Sequence, residues 1–476
     1  MFDYINREIE STAFAKWLYS VRNRNSTRAL FVHGARQIGK TTTIRHFAKD
    51  NFKNVYYINL IENTAVNTSL KQRRYSFDQK PIPDLISLWT NSRFIDSPDS
   101  VIIFDEVQAA SEVYGQLRLF TRELKANVII TGSYLGHIAR DSTFIPAGDT
   151  FDVYMTGFQF SEFLKASGYD FLIDIIETNL ASQLPFSNEI HKQLLNLFSA
   201  YLSYGGYPEV VLNYLHGAEQ EELVQILDNN IERFCEESML YIKNTEDKIF
   251  LKNVIYNIPK LILTREEITT KVSKVTELIN GIDRSHNKVD SKAVRMIIGW
   301  LLEAHMITQS YRCYDFSSAS PLVGEGRIYL RDSGLANEIL GQGTSATGII
   351  TEGYICTVLE DMFSENLGTT PKPICFLEEK GLEIDFYVNS IYGKTAIEVK
   401  AGSNMKNIGS VDLLRKKKID FIIRTGTSNL GKEGDILTVP LYAFSFLKLK
   451  DKAGLTFFQS RELNEKNSLN RMNLFD

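Results

Sequence analysis

Two groups of residues in this chain have the types and spacing needed for chemistry. In the first, HGARQIGKTTT (33–43) sets Gly34 four residues ahead of Gly39-Lys40-Thr41, and SVIIFDE (100–106) closes an apolar run with Asp105 and Glu106. Glycines in such a loop let consecutive backbone N–H groups curl around phosphate oxygens, and a following helix N-terminus adds a favourable dipole. Residues Gly34, Ala35, Arg36, Gln37, Ile38, Gly39, Lys40, Thr41 and Thr42 therefore read as a cradle for the phosphates of ATP. Lys40 is placed to reach the β- and γ-phosphates, and Thr41 with Asp105 to hold Mg²⁺. Glu106 can orient or polarise an attacking water. The next apolar run, NVIITGSY, ends in Thr131, Gly132 and Ser133. A hydroxyl at the tip of that strand would sense the γ-phosphate; Ser133 is assigned this role, with Thr131 as the alternative.

The second group lies in GLEIDFYVNSIYGKTAIEVKAG (381–402). Side chains alternate along a strand, so Glu398 and Lys400 share one face and Ile397 and Val399 the other. In LEIDFYV, Asp385 shares a face with Glu383 and Tyr387, with Ile384, Phe386 and Val388 opposite. If the two strands pair, Asp385 and Glu398 converge with Lys400 beside them. Two carboxylates hold a hard cation such as Mg²⁺, and a lysine can activate water. The same residue types also suit the wet face of a half-buried hairpin. Asp385 nevertheless interrupts strong strand formers, where aspartate is disfavoured. The run RKKK (415–418) offers phosphate contacts or only a solvated face.

The elements that must position these residues are legible in outline. RALFVHG, NVYYINL, SVIIFDE and NVIITGS are short apolar runs separated by helix-patterned segments, the pattern of buried parallel strands in an α/β sheet. From about 166 the spacing turns helical, with Leu194, Leu195, Phe198, Tyr201 and Leu202 on one stripe. GGYP (205–208) then breaks it, with Pro208 opening another helix. SKAVRMIIGWLLEAHMI (291–307) carries Val294, Ile297, Ile298, Leu301 and Leu302 on one face and precedes two strand-like pieces, the order of a winged helix. Lys288, Lys292 and Arg295 stand where a groove-reading helix would present them to DNA; the alternative is a unit that packs between domains. The expected fold class is α/β: a parallel-sheet phosphate-loop ATPase domain (1–165), a helical region (166–255), a winged-helix-like domain (256–344) and a C-terminal α/β nuclease-like domain (345–455).

Composition sets the bounds. Of 476 residues, 43% are hydrophobic and 23% charged, as in soluble proteins with real cores. A net charge of -5 argues against wholesale coating by nucleic acid but permits a local basic groove. Four scattered cysteines fit neither a zinc cluster nor a disulfide framework, which points to a reducing compartment. No leader-like start and no membrane-length apolar run are present, so the cytoplasm is the expected location, with no membrane partner.

GARQIGKTT, IIFDEVQ, ITGSY and FQFSEFL (158–164), in that order, resemble the AAA-type ATPases of bacteria and archaea that carry a C-terminal domain of uncharacterised function. YGGYPEVV (204–211) and YLRDSGLA (329–336) match further landmarks of that family. The resemblance implies Mg²⁺-dependent ATP hydrolysis, a winged helix, and a C-terminal domain similar to the PD-(D/E)xK nucleases, with Asp385, Glu398 and Lys400 as its catalytic set. Some nucleases of that type add a glutamate from the preceding helix; Glu352 is the candidate metal ligand, ahead of Glu360. DNA is the implied partner, and a protein partner or a homo-oligomer is compatible with it. Two departures stand out. Ile384 replaces the proline of the ideal motif, and Asp149 stands where relatives carry an arginine. If that arginine acts as a finger, this chain uses another, such as Arg140, or hydrolyses slowly; Arg36 and Arg45 are not obvious substitutes. A rival reading keeps ATP binding as a switch and makes the C-terminal domain a recognition module.

Overall fold

The computed structural model describes residues 4–23, 27–75, 81–132, 148–238, 246–263, 291–313, 326–341, 344–363, 374–379, 382–400 and 408–449. Ser133, Arg140 and Lys288 lie outside them, as does the side chain of Lys292.

Five parallel strands form the first sheet: β1 (Ala29–His33), β2 (Asn54–Asn59), β3 (Ser100–Asp105), β4 (Asn127–Thr131) and β5 (Thr150–Tyr154), in the order β2-β3-β4-β1-β5. Every residue of β3 is buried, because helices cover both faces of the sheet. Alternation along the strands divides the core. Leu30, Val32, Val101, Ile103 and Ile129 face the helix Lys40–Asn51 through Ile44 and Phe47, while Phe31, Ile102, Phe104 and Ile130 pack with Leu117 and Phe120. The first of these cores runs on without a break. It includes Leu223, Leu227, Ile231 and Phe234 of the helix Gln220–Ser238 and Val294, Ile297 and Leu301 of the helix Ser291–Glu303. The helical middle therefore shares a core with the nucleotide domain.

The second sheet is mixed and holds eight strands: β6 (Ile307–Cys313), β7 (Gly326–Leu330), β8 (Ile374–Glu379), β9 (Leu382–Ser390), β10 (Gly393–Val399), β11 (Phe421–Gly426), β12 (Gly431–Glu433) and β13 (Ile436–Pro440). Their order is β12-β13-β11-β10-β9-β8-β6-β7. The two strands expected as a wing, β6 and β7, do pair antiparallel. But β6 also pairs in parallel with β8, so these strands extend the C-terminal sheet. The helix Thr344–Phe363 covers one face through Ile355 and Leu359, packed with Phe386, Ile397 and Ile423. The helix Ile408–Arg415 covers the other through Leu413, packed with Ile384, Tyr387, Ala396 and Ile422.

Strict alternation fails at one place in β9. Cys375 of β8 pairs with Tyr387 but Leu377 pairs with Ile384, so β9 carries an extra residue there. Ile384 consequently joins the same core as Tyr387, where alternation had put it on the opposite face. The cysteine expectation also needs correction. Cys235 and Cys356 are buried thiols outside any disulfide, but Cys375 is disulfide-bonded. Among the described residues no helix is long and apolar enough to cross a membrane.

Candidate functional site

β1 delivers the chain to Gly34, whose φ is 144°. A Cβ at Gly34 would stand 2.1 Å from the Met155 carbonyl oxygen, so the loop must leave β1 bare at this point. Gln37 and Gly39 also take positive φ, 62° and 88°, which winds the loop before the helix Lys40–Asn51 begins. Lys40 is buried, and its Nζ donates to the carbonyls of Gly34 at 3.0 Å and Ala35 at 2.6 Å. Burial pulls its ammonium down from 10.5 to about 8, against the opposing charge of Glu106. A phosphate is a charged acceptor and competes well with two neutral carbonyls for that ammonium.

The acid pair stands at the carboxyl end of β3. Thr41 Oγ1 donates to Asp105 Oδ2 at 2.8 Å, and Tyr57 OH donates to the same oxygen at 2.7 Å. The backbone N–H of Glu106 donates to Asp105 Oδ1 at 2.8 Å. Asp105 is thereby fixed beside the loop helix although only 4% exposed. The Glu106 carboxylate accepts from Gln108 and lies 3.9 Å from Arg36 NH1. Arg36 also pairs with Glu237, near the end of the helix Gln220–Ser238, and so ties the loop to the helical middle. Arg45 instead lies over the Tyr57 ring at 4.9 Å.

Several residues behave differently from their sequence reading. Thr131 Oγ1 donates to the Val32 carbonyl at 3.0 Å, so this hydroxyl is used in bracing β4 against β1. Asp149 is buried and pairs with Arg118 and with Arg122, the latter at 3.0 Å, so an acid is the residue that suits its surroundings. Nothing in the sequence singles out Arg7. It is buried, donates to Glu162 at 2.9 Å, Ile38 O at 3.1 Å, Thr156 O at 2.8 Å and Gly157 O at 2.9 Å, and lies 4.5 Å from the Phe158 ring centroid. Glu162 in turn closes the capping box of the helix Phe160–Ala166, which begins the SEFL stretch. No periodicity marks Arg7, because its partners are more than thirty positions away.

The GGYP break has a clear place. Pro208 Cγ lies 3.5 Å from where a Gly39 Cβ would be, and the Gly206 N–H donates to Asp332 Oδ2 at 2.8 Å. Asp332 caps the helix Ser333–Leu340 through Leu335 N at 3.0 Å, and a Cβ at Gly205 would fall 2.2 Å from its Oδ1. Beside it, Arg331 pairs with Glu360 and with Asp361 at 2.6 Å, both on the helix Thr344–Phe363. Glu360 also accepts from Thr308 at 2.7 Å, which commits the alternative metal candidate elsewhere. These contacts run from the phosphate loop to the helix that bears Glu352. They border a cavity of about 240 Å³ lined by Ile38, Tyr154, Tyr207, His305, Arg331 and Tyr354 among others.

In the C-terminal sheet, β9 and β10 pair antiparallel with Phe386 opposite Ile397. Asp385 Oδ2 accepts from the Val399 N–H at 2.7 Å, and Glu352 accepts from Tyr329 OH at 3.2 Å. Glu398 is fully buried, 3.7 Å from Arg424 Nε, with the Ser410 hydroxyl also against its carboxylate. Loss of water raises all three acids, and Asp385 adds to the rise of Glu352 to about 7. Lys400 is close enough to oppose the shifts of Asp385 and Glu398. Among the described residues no three His, Cys, Asp or Glu side chains are grouped to hold a metal ion. Arg295 is exposed on the helix Ser291–Glu303.

Residues 26–164 match the family model of an AAA domain, and residues 195–346 match that of a domain of unknown function. An uncharacterised protein of Methanocaldococcus jannaschii is 20% identical over 361 residues, 75% of this chain and 71% of that one. Solved structures with similarity include a Walker-type ATPase of Pyrococcus abyssi (13% identity, 71% of this chain and 97% of that one, TM-score 0.43). The Aeropyrum pernix Orc1 protein in complex with DNA is another (13%, 71% and 93%, TM-score 0.31). A third is the Thermotoga maritima RuvB Holliday junction branch migration motor (12%, 64% and 90%, TM-score 0.27). The N-terminal part of this chain is an AAA-like phosphate-loop ATPase domain.

Proposed function

We propose that the chain is an Mg²⁺-dependent ATPase whose nucleotide state is transmitted to a nuclease-like C-terminal domain that acts on or binds DNA. The observation that carries the ATPase reading is the hydrogen bond of Thr41 to Asp105, with Lys40 and Glu106 on either side of it. Hydroxyl and carboxylate together are the donor set that a phosphate-bound Mg²⁺ uses. Mg²⁺ held there would neutralise charge on the β- and γ-phosphates. The loop N–H groups and Lys40 bind those phosphates, and Glu106 accepts a proton from the water that attacks the γ-phosphorus. The bond from that phosphorus to the β–γ bridging oxygen breaks, and ADP leaves with the bridging oxygen.

The experiment is ATP turnover measured beside nucleotide binding. Lys40→Ala is expected to lose binding, and Glu106→Gln to bind ATP but not turn it over. Turnover surviving in Glu106→Gln overturns the role given to that residue.

Support for the C-terminal part is topological. The order helix, three antiparallel strands, helix, strand across 344–426 supports a PD-(D/E)xK-like reading, as does the placing of Glu398 near the end of β10 just ahead of Lys400. The buried Glu398 carboxylate, with Arg424 at 3.7 Å and the Ser410 hydroxyl against it, has lone pairs left that suit a cation. DNA contact is supported by the exposed Arg295, and a protein partner or self-assembly remains compatible with this reading. A second reading, an ATP-gated switch with an inactive nuclease fold, is favoured by the lack of a grouped three-ligand set among the described residues. Cleavage of labelled DNA with Mg²⁺ or Mn²⁺ that is lost in Asp385→Ala supports the first; no cleavage of single-stranded, duplex or branched DNA supports the second.

A further inference from the structure

β3 ends at Asp105 and the chain turns sharply at Glu106, whose φ is 56°. A left-handed conformation at a residue with a side chain costs roughly 1–2 kcal/mol, so something must hold it. The single turn Val107–Ala109 follows and swings Gln108 back over the acid, where its Nε2 donates to Glu106 Oε2. The other end of the same amide is unused: Gln108 Oε1 is buried and has no hydrogen-bond partner among the described residues. A buried carbonyl oxygen without a donor is unfavourable unless a ligand or water supplies one.

The neighbouring strand makes room for this amide. β4 runs to Thr131, and a Cβ at the next residue, Gly132, would stand 2.5 Å from Gln108 Oε1 and 3.0 Å from Val107 Cγ1. No positive φ requires glycine at 132. The missing side chain is explained by the space that Gln108 occupies. ITGSY and FDEVQ, two motifs separate in sequence, thus meet at one amide.

We infer that Gln108 is a positioning residue: with its Oε1 lodged against Gly132, its Nε2 holds the Glu106 carboxylate in place for water activation. The inference rests on the reading of Glu106 as the group that activates water.

The test is steady-state ATP turnover with nucleotide affinity and melting temperature measured on the same full-length variants. Gln108→Ala is expected to lower kcat roughly tenfold to a hundredfold with nucleotide Kd unchanged, the size of effect that follows from misplacing a reacting group. Gln108→Glu keeps the shape but replaces a donor with a repelling carboxylate, and is expected to fall at least as far. Gly132→Ala displaces the amide, so its loss of kcat is not additive with that of Gln108→Ala in the double variant. Wild-type kcat in Gln108→Ala, with Glu106→Gln inactive, overturns the inference and leaves the Glu106 reading standing. Nucleotide affinity and melting temperature falling in step with kcat in all three variants also overturns it, by making the role structural. Turnover retained in Glu106→Gln removes the premise and the inference with it.

Discussion

Thr41 and Asp105, sixty-four positions apart, are joined by a 2.8 Å hydrogen bond from Oγ1 to Oδ2. The bond fixes the start of the loop helix against the tip of β3, so the two halves of a Mg²⁺ site are set before any ion arrives. Pre-organisation of this kind should be visible as coupling. Thr41→Val and Asp105→Asn are each expected to weaken Mg²⁺-dependent ATP binding, and the double variant to fall short of their sum by about 1.5–3 kcal/mol. Titration with a fluorescent nucleotide, with and without Mg²⁺, reads this directly. Additive losses would show that the two residues do not act together.

Lys40 predicts a pH dependence of binding. Its folded-state pKa is depressed from 10.5 to about 8 by burial, and phosphates restore the charged form. ATP binding between about pH 8 and 10.5 should therefore take up a proton and weaken as pH rises. Stability of the free protein moves the other way. In that window the unfolded chain binds the proton and the folded one does not, so the penalty of burying the ammonium is relieved as pH climbs. Calorimetry in two buffers of different ionisation enthalpy measures the uptake. Lys40→Arg, which cannot lose its proton, should show none.

The two loop glycines should not be equivalent. Gly34→Ala places a Cβ 2.1 Å from a backbone oxygen at φ 144°, whereas Gly39→Ala meets nothing closer than 3.5 Å and carries only its φ of 88°. Destabilisation of about 3 kcal/mol or more is expected for the first and about 1–2 kcal/mol for the second. Urea unfolding ranks them, and an equal cost would refute the steric account.

The phosphate loop and the acid pair were legible because their residues are contiguous and flank strands that announce themselves by apolar runs. Arg7 and Tyr57 were not, since each finds its role only through partners that folding brings near, at Glu162 and at Asp105. Asp149 reads in sequence as the place of a missing arginine, whereas in the fold it pairs with Arg118 and Arg122. The wing strands illustrate a different limit. The period-two pattern identifies β6 and β7 as strands but says nothing about which sheet they join. Likewise the extra residue near Asp385 cannot be inferred from alternation, because a bulge is a local departure from the rule used to find the strand.

That departure bears on the C-terminal acids, where the last prediction lies. Burial raises Glu352, Asp385 and Glu398, so the folded chain keeps protons that the unfolded chain releases, for Glu352 between about pH 4.5 and 7, and stability should fall as pH rises through that window. A divalent cation favours the ionised acids and should reverse the loss. Without nucleotide, Mn²⁺ is expected to raise the melting temperature at pH 8 and to leave it unchanged near pH 5. Glu398→Gln removes a fully buried carboxylate whose pKa burial raises against Ser410, Lys400 and Arg424. It should raise the metal-free melting temperature and abolish the Mn²⁺ effect, while Lys40→Ala keeps that effect. An unaltered wild-type melting temperature with Mn²⁺ at pH 8 would count against a cation at these acids and turn the balance to the ATP-gated switch.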